Sequence, residues 1–273
     1  MAEASDNCDR CETPMIRVRG LHKAFDGHAV LRGVDFCVPQ GKFYALIGMS
    51  GLGKSVLLKH IAGLMRPDRG TVEIGGTEIT RARHRVLREV RRRIAFLFQG
   101  GALFDSMTVY ENVAFPLKER KLAPAKEIPE RVMAELRALD IQDAAEKYPA
   151  QLSGGMLKRA ALARCLVMEP EIMLFDEPTT GLDPIIAHSV LTLIDDCRRR
   201  LGFTGIIVTH RIPRVFSIVD CVALFHEGRI RSCGAPESLE RSPDAVVQRF
   251  LQEAMASVAD LRSPQSLRRP VEG

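Results

Sequence analysis

The sequence lacks any apolar run that approaches the roughly 20 residues an α-helix needs to cross a bilayer. It also lacks a targeting signal, because the opening MAEASDNCDRCETP is polar and partly acidic, unlike a secretory or an Arg-rich transit peptide. These absences predict a cytoplasmic-type protein. With 273 residues and 46% hydrophobic content, the chain has room for one large domain or one and a half.

The cysteines do not form a disulfide framework, because there are seven of them, scattered along the chain. Four lie inside apolar stretches, where a reduced thiol behaves as a small hydrophobe: Cys37, Cys165, Cys197 and Cys221. Cys8 and Cys11 form a CxxC pair, but no second Cys or His pair stands at a zinc-finger distance. We expect a reduced, disordered tail here rather than a metal or redox site.

The sequence also lacks a strong imbalance of charge, since its net charge is only +5. Its basic residues concentrate in RARHRVLREVRRR, residues 81–93. We interpret this run as a solvated helix face, with Val86, Leu87 and Val90 pointing inward. The alternative is a patch that faces anionic lipid or nucleic acid.

What the sequence does have is an alternation of strands and helices. MIRVRGL, AVLRGVDFCV, GKFYALIG, EIMLFDE, GIIVTH and CVALFHEGRI have strand patterns, and TVEIGGTEI predicts a hairpin that turns at Gly75 and Gly76. The alternation predicts an α/β fold with a mainly parallel sheet. Residues from about 100 to 165 favour helix and form an inserted subdomain. Around one domain at 15–240, we expect disordered ends at 1–14 and 263–273 and a helical extension at 241–262.

The C-terminal extension has a helix start at Ser242-Pro243-Asp244, with serine as N-cap, proline at the first helical position and an acid at the positive end of the helix dipole. Apolar residues then recur at roughly helical spacing: Ala245, Val246, Phe250, Leu251, Met255, Val258 and Leu261. An amphipathic helix of this length needs a partner surface, either on its own domain or across a dimer.

A phosphate-binding loop is indicated by GMSGLGKS, residues 48–55, which fits G-x-x-x-x-G-K-[ST] between a buried strand and a helix. Glycines allow the backbone to wrap phosphates, and the N–H groups at the helix start are electropositive. Lys54 reaches the terminal phosphates, and the Ser55 hydroxyl suits Mg²⁺. Val56 stands where a second hydroxyl is common, which costs on the order of 1 kcal/mol of binding.

The strand EIMLFDEP supplies two adjacent acids at its end. Neighbouring residues on an extended strand point to opposite faces, so the two carboxyl groups can have different tasks. We assign Asp176 to the shell of the metal ion and Glu177 to the attacking water, as base or orienter.

QLSGGMLKRAALAR, residues 151–164, together with these motifs, resembles the ATP-binding subunits of ABC transporters over about residues 15–240. The resemblance implies a P-loop NTPase fold with an antiparallel β subdomain and an inserted helical subdomain, and it implies ATP and Mg²⁺ as cofactors. The catalytic residues it implies are Glu177, His210 and Gln99. The nucleotide-binding residues it implies are Phe25, Gly48, Ser50, Gly51, Gly53, Lys54, Ser55, Val56, Ser153, Gly154, Gly155 and Asp183, and the metal ligands are Ser55, Gln99 and Asp176.

Gln99 opens the stretch LFQGGALFDS, residues 97–106. In the family this glutamine contacts Mg²⁺ and water and begins the loop leading to the helical subdomain. The apolar residues after it resemble the groove that receives a coupling helix of the membrane subunit, so Leu103 and Phe104 would be exposed until that partner docks. The alternative is that both belong to the subdomain's own core.

The residues of this stretch, together with GKSVLLKHIAGLMRPDRG and LSGGM, are similar to those of the MlaF-type branch of the family, whose members power Mce-family lipid transport. That resemblance implies MlaE-like permease subunits docking near residues 99–104, an Mce-domain lipid-binding protein and room for a small accessory subunit. It places the chain peripherally on the cytoplasmic side of the bacterial inner membrane.

The resemblance also implies a head-to-tail homodimer, in which the signature loop Ser153–Gly155 of one copy completes the phosphate site of the other. Three alternatives remain: an importer of another solute, a nucleic-acid or translation ATPase, and a regulatory binder that does not hydrolyse ATP. The tandem cassettes, coiled coils or zinc modules usual in the second class are missing, so we expect no nucleic-acid partner. Intact Lys54, Asp176, Glu177 and His210 disfavour the third.

Overall fold

The protein is described here by a computed structural model covering residues 14–210 and 212–260, without the side chains of 213 and 255–260. The CxxC pair and the predicted disordered segment 263–273 lie outside these residues. Pro14 is the first residue of the first strand, one position before the boundary predicted at 15.

Two sheets form the framework. The mainly parallel one has the order β10-β9-β3-β8-β7-β6, with only β10 antiparallel to its neighbour. The antiparallel one has the order β2-β1-β4-β5. The strands are β1 Pro14–Phe25, β2 His28–Pro39, β3 Phe43–Ile47, β4 Arg69–Ile74, β5 Thr77–Glu78, β6 Ile94–Leu97, β7 Ile172–Asp176, β8 Thr204–Val208, β9 Cys221–His226 and β10 Arg229–Gly234.

The helices connect these strands. They are α1 Lys54–Ile61, α2 His84–Arg92, α3 Val109–Glu119, α4 Ile128–Ala138, α5 Gly154–Leu166, α6 Pro184–Leu201, α7 Ile212–Val215, α8 Pro236–Glu240 and α9 Ala245–Asp260, with short 3-10 turns at Gln142–Ala144 and Pro149–Gln151. Three of them, α3 to α5, lie between β6 and β7, where a helical subdomain is predicted. Among the described residues, no helix combines the length and apolar character required to span a membrane.

The parallel register brings the ends of three strands to one edge. Leu46 of β3 pairs with Val208 of β8, which in turn pairs with Asp176 of β7. The segments that follow these strands therefore meet at the carboxyl edge of the sheet, where ligands of open α/β sheets bind. The hairpin predicted at Gly75 and Gly76 is confirmed, because Ile74 pairs with Thr77.

The core consists of two apolar clusters. One includes Val113, Leu136 and Phe175 and extends beneath the α3–α5 block, while the other includes Val18, Leu46 and Leu58 and joins the two sheets. The cysteines predicted to be buried hydrophobes, Cys37, Cys165, Cys197 and Cys221, are all buried, and no disulfide joins any of them to another described residue.

The basic run forms α2 and is only partly as predicted. Val90 is buried and Leu87 is half-buried, but Val86 is 38% exposed and does not point inward. A nine-residue helix has room for only a narrow buried stripe, and positions 87 and 90, one turn apart, take it.

The C-terminal helix begins later than predicted. Asp244, not Ser242, caps it, because the Asp244 carboxylate accepts a hydrogen bond from the backbone N–H of Val246 at 2.8 Å, and the first helical residue is Ala245. Val247 and Leu251 are buried in the core cluster beneath the α3–α5 block. The apolar face of α9 therefore packs on its own domain, one of the two surfaces predicted for it. Leu261 lies outside the described residues.

Candidate functional site

The loop between β3 and α1 depends on glycine at two positions. Gly48 has φ 146°, and a Cβ there would lie 2.3 Å from the carbonyl oxygen of Phe225. Gly53 precedes α1 with φ 111°, and a Cβ there would lie 2.6 Å from a methyl group of Val30. Both values exclude a side chain, so the glycines allow the backbone to wrap closely at the start of α1.

Lys54 is folded back onto this loop. Its Nζ donates hydrogen bonds to the carbonyls of Gly48 at 2.8 Å and Met49 at 2.7 Å, and the residue is only 5% exposed. Burial lowers the pKa of Lys54, while the nearby carboxylates of Glu177 and Asp176 oppose this shift. Phosphate oxygens make stronger, charge-assisted partners for an ammonium group than carbonyls do, so the loop is prepared for an anion.

Ser55 and Asp176 form an oxygen-donor pair. The Ser55 Oγ donates to the Asp176 carboxylate at 2.7 Å, and Asp176 ends β7 at 7% exposure. Burial raises the pKa of Asp176, and the hydrogen bond from Ser55 counteracts it. A buried carboxyl group next to a hydroxyl is the hard oxygen donor set that Mg²⁺ prefers, so these residues fit the metal ion that the sequence predicts.

Glu177 is held by two polar neighbours. His210 Nδ1 lies 2.7 Å from its Oε2, and the Thr180 hydroxyl donates to the same oxygen at 2.9 Å. Burial acts to raise the pKa of Glu177, but the hydrogen bonds from His210 and Thr180 outweigh it, and the pKa lies below its usual value. Glu177 has φ 51°, an unusual conformation for a non-glycine residue that often accompanies function. It is thus an ionised, oriented carboxylate.

These groups surround one open cleft of about 440 Å³. It brings together most of the predicted nucleotide-site residues, and its lining comprises Phe25, Val30, Ser50, Gly51, Gly53, Lys54, Ser55, Val56, Gln99, Glu177, Thr180, Val208 and His210. Phe25 is 40% exposed at the cleft, and Lys23 Nζ lies 5.5 Å from the centre of its ring. An exposed aromatic face suits stacking of a base.

Gly48 and Asp176 do not line this cleft themselves but are hydrogen-bonded to Lys54 and Ser55, which do. Four further predicted binding residues also lie outside it. The described residues that line the cleft do not include Ser153, Gly154, Gly155 or Asp183. Ser153 caps α5 through its hydrogen bond with the Met156 N–H, and Asp183 caps α6 by accepting from the N–H groups of Ile185 and Ile186 at 3.0 Å. The side chains of Ser153 and Asp183 start helices here and do not line this chain's own cleft.

Gln99 lies between two clefts. It is exposed and lines both the cleft of Lys54 and a neighbouring one that contains Gly154, Lys158 and Leu182. Lys158 donates a hydrogen bond to the Gln99 carbonyl, which ties the start of this loop to α5. A movement at Gln99 can therefore reach the helical block.

Beyond Gln99, a groove of about 490 Å³ runs between the sheet and the helical block, and Phe96, Phe98, Phe104, Phe115 and Arg164 are among its lining residues. Phe104 is 42% exposed. Its ring packs edge-on against that of Phe115, with 4.9 Å between the ring centres, and the guanidinium carbon of Arg164 lies 5.8 Å from the centre of the Phe104 ring. Leu103 is different: it is half-buried against the core. The prediction of two exposed residues is therefore right for Phe104 and wrong for Leu103.

Comparison with known proteins identifies the family of this chain. The model of the ABC transporter family matches residues 31–180, more than half of the chain. The chain belongs to this family.

Its ABC transporter relatives include two named MlaF. "Intermembrane phospholipid transport system ATP-binding protein MlaF" from Escherichia coli K12 is 36% identical over 250 residues, covering 92% of this chain and 93% of that protein. MlaF from Haemophilus influenzae is 38% identical, and the match covers 87% of this chain and 90% of that protein. "Probable ribonucleotide transport ATP-binding protein mkl" from Mycobacterium leprae is 40% identical and covers 86% of this chain but 68% of that protein.

Solved structures with the same fold include cbiO1 from Clostridium perfringens, at a TM-score of 0.77 and 31% identity over 93% of this chain and 97% of that chain. The dimeric post-hydrolysis state of the cassette MJ0796 bound to ADP and Pi has a TM-score of 0.75 and 28% sequence identity, and the match covers 81% of this chain and 99% of that chain. The chain is thus an ATP-binding, ATP-hydrolysing subunit of an ABC transporter. Cassettes of this family dimerise and work with membrane permeases.

Sequence reasoning missed three residues of this ABC cassette. Thr180 shares the Glu177 carboxylate with His210, Lys158 holds the Gln99 carbonyl, and Arg164 donates to the carbonyls of Gly101 and Ala102. Each acts through a fold contact with no spacing pattern of its own. The sequence shows Lys158 and Arg164 as basic residues of KRAALAR, but it does not show which carbonyl groups they bind.

Proposed function

We propose that this ATPase powers the transport of phospholipid between membranes of the bacterial cell envelope, from a peripheral position on the cytoplasmic face of the inner membrane. The observation that carries the proposal is the match to MlaF proteins along nearly the full length of both chains. The relatives named here are transport proteins, which disfavours a role on nucleic acid.

In the cleft, ATP stacks its base on Phe25 and places its phosphates on the loop of residues 48–55. Lys54 then exchanges its carbonyl partners for phosphate oxygens. Ser55, Asp176 and Gln99 are the residues that would hold Mg²⁺, which neutralises charge on the phosphates when it is bound.

Glu177 acts on the attacking water. Its pKa lies below the usual value, so at neutral pH the carboxylate is ionised and accepts a hydrogen bond from that water. His210 and Thr180 fix the orientation of Glu177 through the same oxygen. They are positioning residues, because they act through Glu177.

A second copy of the chain completes each site. Ser153, Gly154 and Gly155 lie away from this chain's own cleft, so their proposed task of capping the γ-phosphate is performed on the partner's nucleotide. Ile185, at 80%, and Ile186, at 39%, are exposed in the first turn of α6, which Asp183 caps, and such apolar side chains suit an interface. The dimeric MJ0796 cassette bound to ADP and Pi supports this arrangement.

The groove around Phe104 receives the permease. Its apolar and aromatic lining, with Arg164 and Arg120 at its side, suits an amphipathic coupling helix of an MlaE-like subunit. Asn112 is fully buried and holds the backbone of Phe104, accepting from its N–H at 2.8 Å and donating to its carbonyl at 3.0 Å. The groove is therefore preformed. An Mce-domain lipid-binding protein and a small accessory subunit complete the proposed complex.

The second candidate is an importer of another solute, for which the 40% identity to mkl is the specific observation. The two candidates are separated by purifying the native complex from its own membranes and identifying proteins and bound lipids by mass spectrometry. Phospholipid with an Mce-domain partner supports the proposal. A complex without an Mce protein, whose ATPase activity rises with a ribonucleotide, would overturn it. An ATPase activity that rises with RNA or DNA would overturn both.

A further inference from the structure

A separate pocket of about 250 Å³ lies where α1, the β4–β5 hairpin and α2 meet. Its polar lining consists of His60, Arg66, Thr80, His84 and Arg91, and the lining contributed by the described residues contains no acidic side chain. The nucleotide site uses none of these residues. A pocket with two arginines and no carboxylate favours an anion.

Arg91, in the wall of this pocket, carries one donor that has no partner among the described residues. Its Nη2 donates to the carbonyl of Gly63, but its Nε is buried and has no hydrogen-bond partner within the described part of the chain. Buried N–H donors are nearly always paired, and leaving one unpaired is costly. A phosphate oxygen is the acceptor that a guanidinium group binds best.

The surface beside the pocket is also basic. Arg81, Arg83, Arg85 and Arg88 form no ion pair with any residue that the structure describes, while Glu89, the single acid of α2, pairs with Arg92 at 3.4 Å. Two apolar side chains are exposed among them, Leu64 at 50% and Val86 at 38%. Unpaired arginines beside exposed aliphatic groups suit the interface of a bilayer, where headgroups meet acyl chains.

The pocket adjoins the permease groove, because Leu64 and Arg91 line both. We propose that the pocket, with the arginines of α2 around it, binds the phosphate headgroup of an anionic phospholipid at the surface of the bilayer. The location next to the membrane rests on the proposed function, since it assumes that the groove holds a permease. The chemistry of the pocket does not depend on it. A nucleic-acid site is disfavoured by the exposed leucine and valine.

The test is co-sedimentation of the full-length protein with vesicles of phosphatidylcholine alone or with phosphatidylglycerol added. We expect binding only to the anionic vesicles. Arg85→Ala/Arg88→Ala should weaken it about twenty-five-fold, because each basic residue near an anionic surface contributes roughly a factor of five. Arg66→Ala/Arg91→Ala, which empties the pocket of its arginines, should weaken it at least as much.

The matched control is Lys126→Ala/Arg137→Ala, which removes the same charge from exposed positions elsewhere. Equal losses in the control and in the Arg85/Arg88 variant, or binding to phosphatidylcholine alone, would overturn the proposal. So would binding of inorganic phosphate or of an RNA duplex to the same arginines without any binding to vesicles. Because the isolated subunit is used, failure here is distinct from failure of the proposed function, which a purified Mce-containing complex would still support.

Discussion

His210 Nδ1 lies 2.7 Å from Glu177 Oε2, and this contact links the ends of two neighbouring strands. Glu177 follows β7, and its backbone N–H donates to the carbonyl of Val208, the last residue of β8, at 3.0 Å. The carboxylate is therefore fixed by backbone and side chain together. Its orientation toward the cleft is a property of the sheet edge.

The first prediction concerns this carboxylate. Glu177→Gln should keep ATP binding, because Lys54 and the glycine loop are unchanged, but nearly abolish hydrolysis, since the amide cannot accept a proton from water. The variant should also accumulate a closed dimer, visible by size-exclusion chromatography with ATP. Turnover near the wild-type rate would remove Glu177 from its role.

The second prediction concerns the pKa of Glu177. Burial opposes its ionisation, and the bond to His210 is the largest influence that keeps its pKa low. His210→Ala should therefore raise this pKa and move the acid limb of the residual ATPase activity to higher pH, because the active form is the carboxylate. The pKa is measured by carbon-13 NMR of the labelled glutamate.

Thr180→Val is the control for this experiment, since it removes a smaller contribution to the same oxygen. It should raise the pKa of Glu177 by less than His210→Ala does. A pKa of Glu177 that is the same in the wild type and in His210→Ala would mean that the histidine does not tune the base.

Much of this site could be predicted from the sequence, because its parts are local. The loop GMSGLGKS and the acids after EIMLF carry their chemistry in short spacings, and the parallel register then brings them to one edge. The side chains of Ser153 and Asp183 could not be placed in the same way. Both serine and aspartate are good helix caps, and sequence alone does not say whether a cap or a ligand is in use.

The tail shows the same limit. Ser242-Pro243 has a good start signal, yet α9 begins at Ala245, because Asp244 two residues later offers a carboxylate to the first free N–H groups. Ser242 instead accepts from the Asp244 N–H at 3.3 Å. Two caps compete within three residues, and the local pattern does not show that Asp244 also pairs with Arg231 at 2.8 Å, a contact from strand β10.

The third prediction concerns this helix. Leu251→Ala should lower the free energy of unfolding by about 2–5 kcal/mol, because Leu251 is buried in the core cluster and truncation leaves a cavity. Urea denaturation of the isolated subunit measures it. Truncation after Arg241 should weaken dimerisation or assembly by loosening the same region, while the nucleotide motifs stay intact.

Arg249→Ala is the matched substitution on the exposed face of α9, where Arg249 forms a surface ion pair with Glu253 one turn away. It should change the free energy of unfolding by less than about 1 kcal/mol. If the truncated protein assembles and transports normally, α9 is dispensable.

The fourth prediction separates the two roles of LFQGGALFDS. Phe104→Ser should leave the isolated subunit folded and able to bind ATP, because Phe104 is 42% exposed. It should weaken binding of the permease by up to about 3 kcal/mol, since that aromatic surface is buried on docking. Changing Leu103 as well would confuse the result, because half-buried Leu103 packs on the core.

Two further variants complete that experiment. Tyr148→Ser, at a similarly exposed aromatic outside the groove, should leave permease binding unchanged, and Gln99→Ala should allow assembly but slow ATP hydrolysis and couple it poorly to transport. The measurements are pull-down with the permease, ATPase rate and melting temperature. A drop of many degrees in the melting temperature of Phe104→Ser would show that this ring holds the fold together. Retained permease binding would show that the groove is not the docking site. If both expectations hold, the amide serves the nucleotide and the aromatic ring serves the partner, so one short loop connects hydrolysis to the membrane.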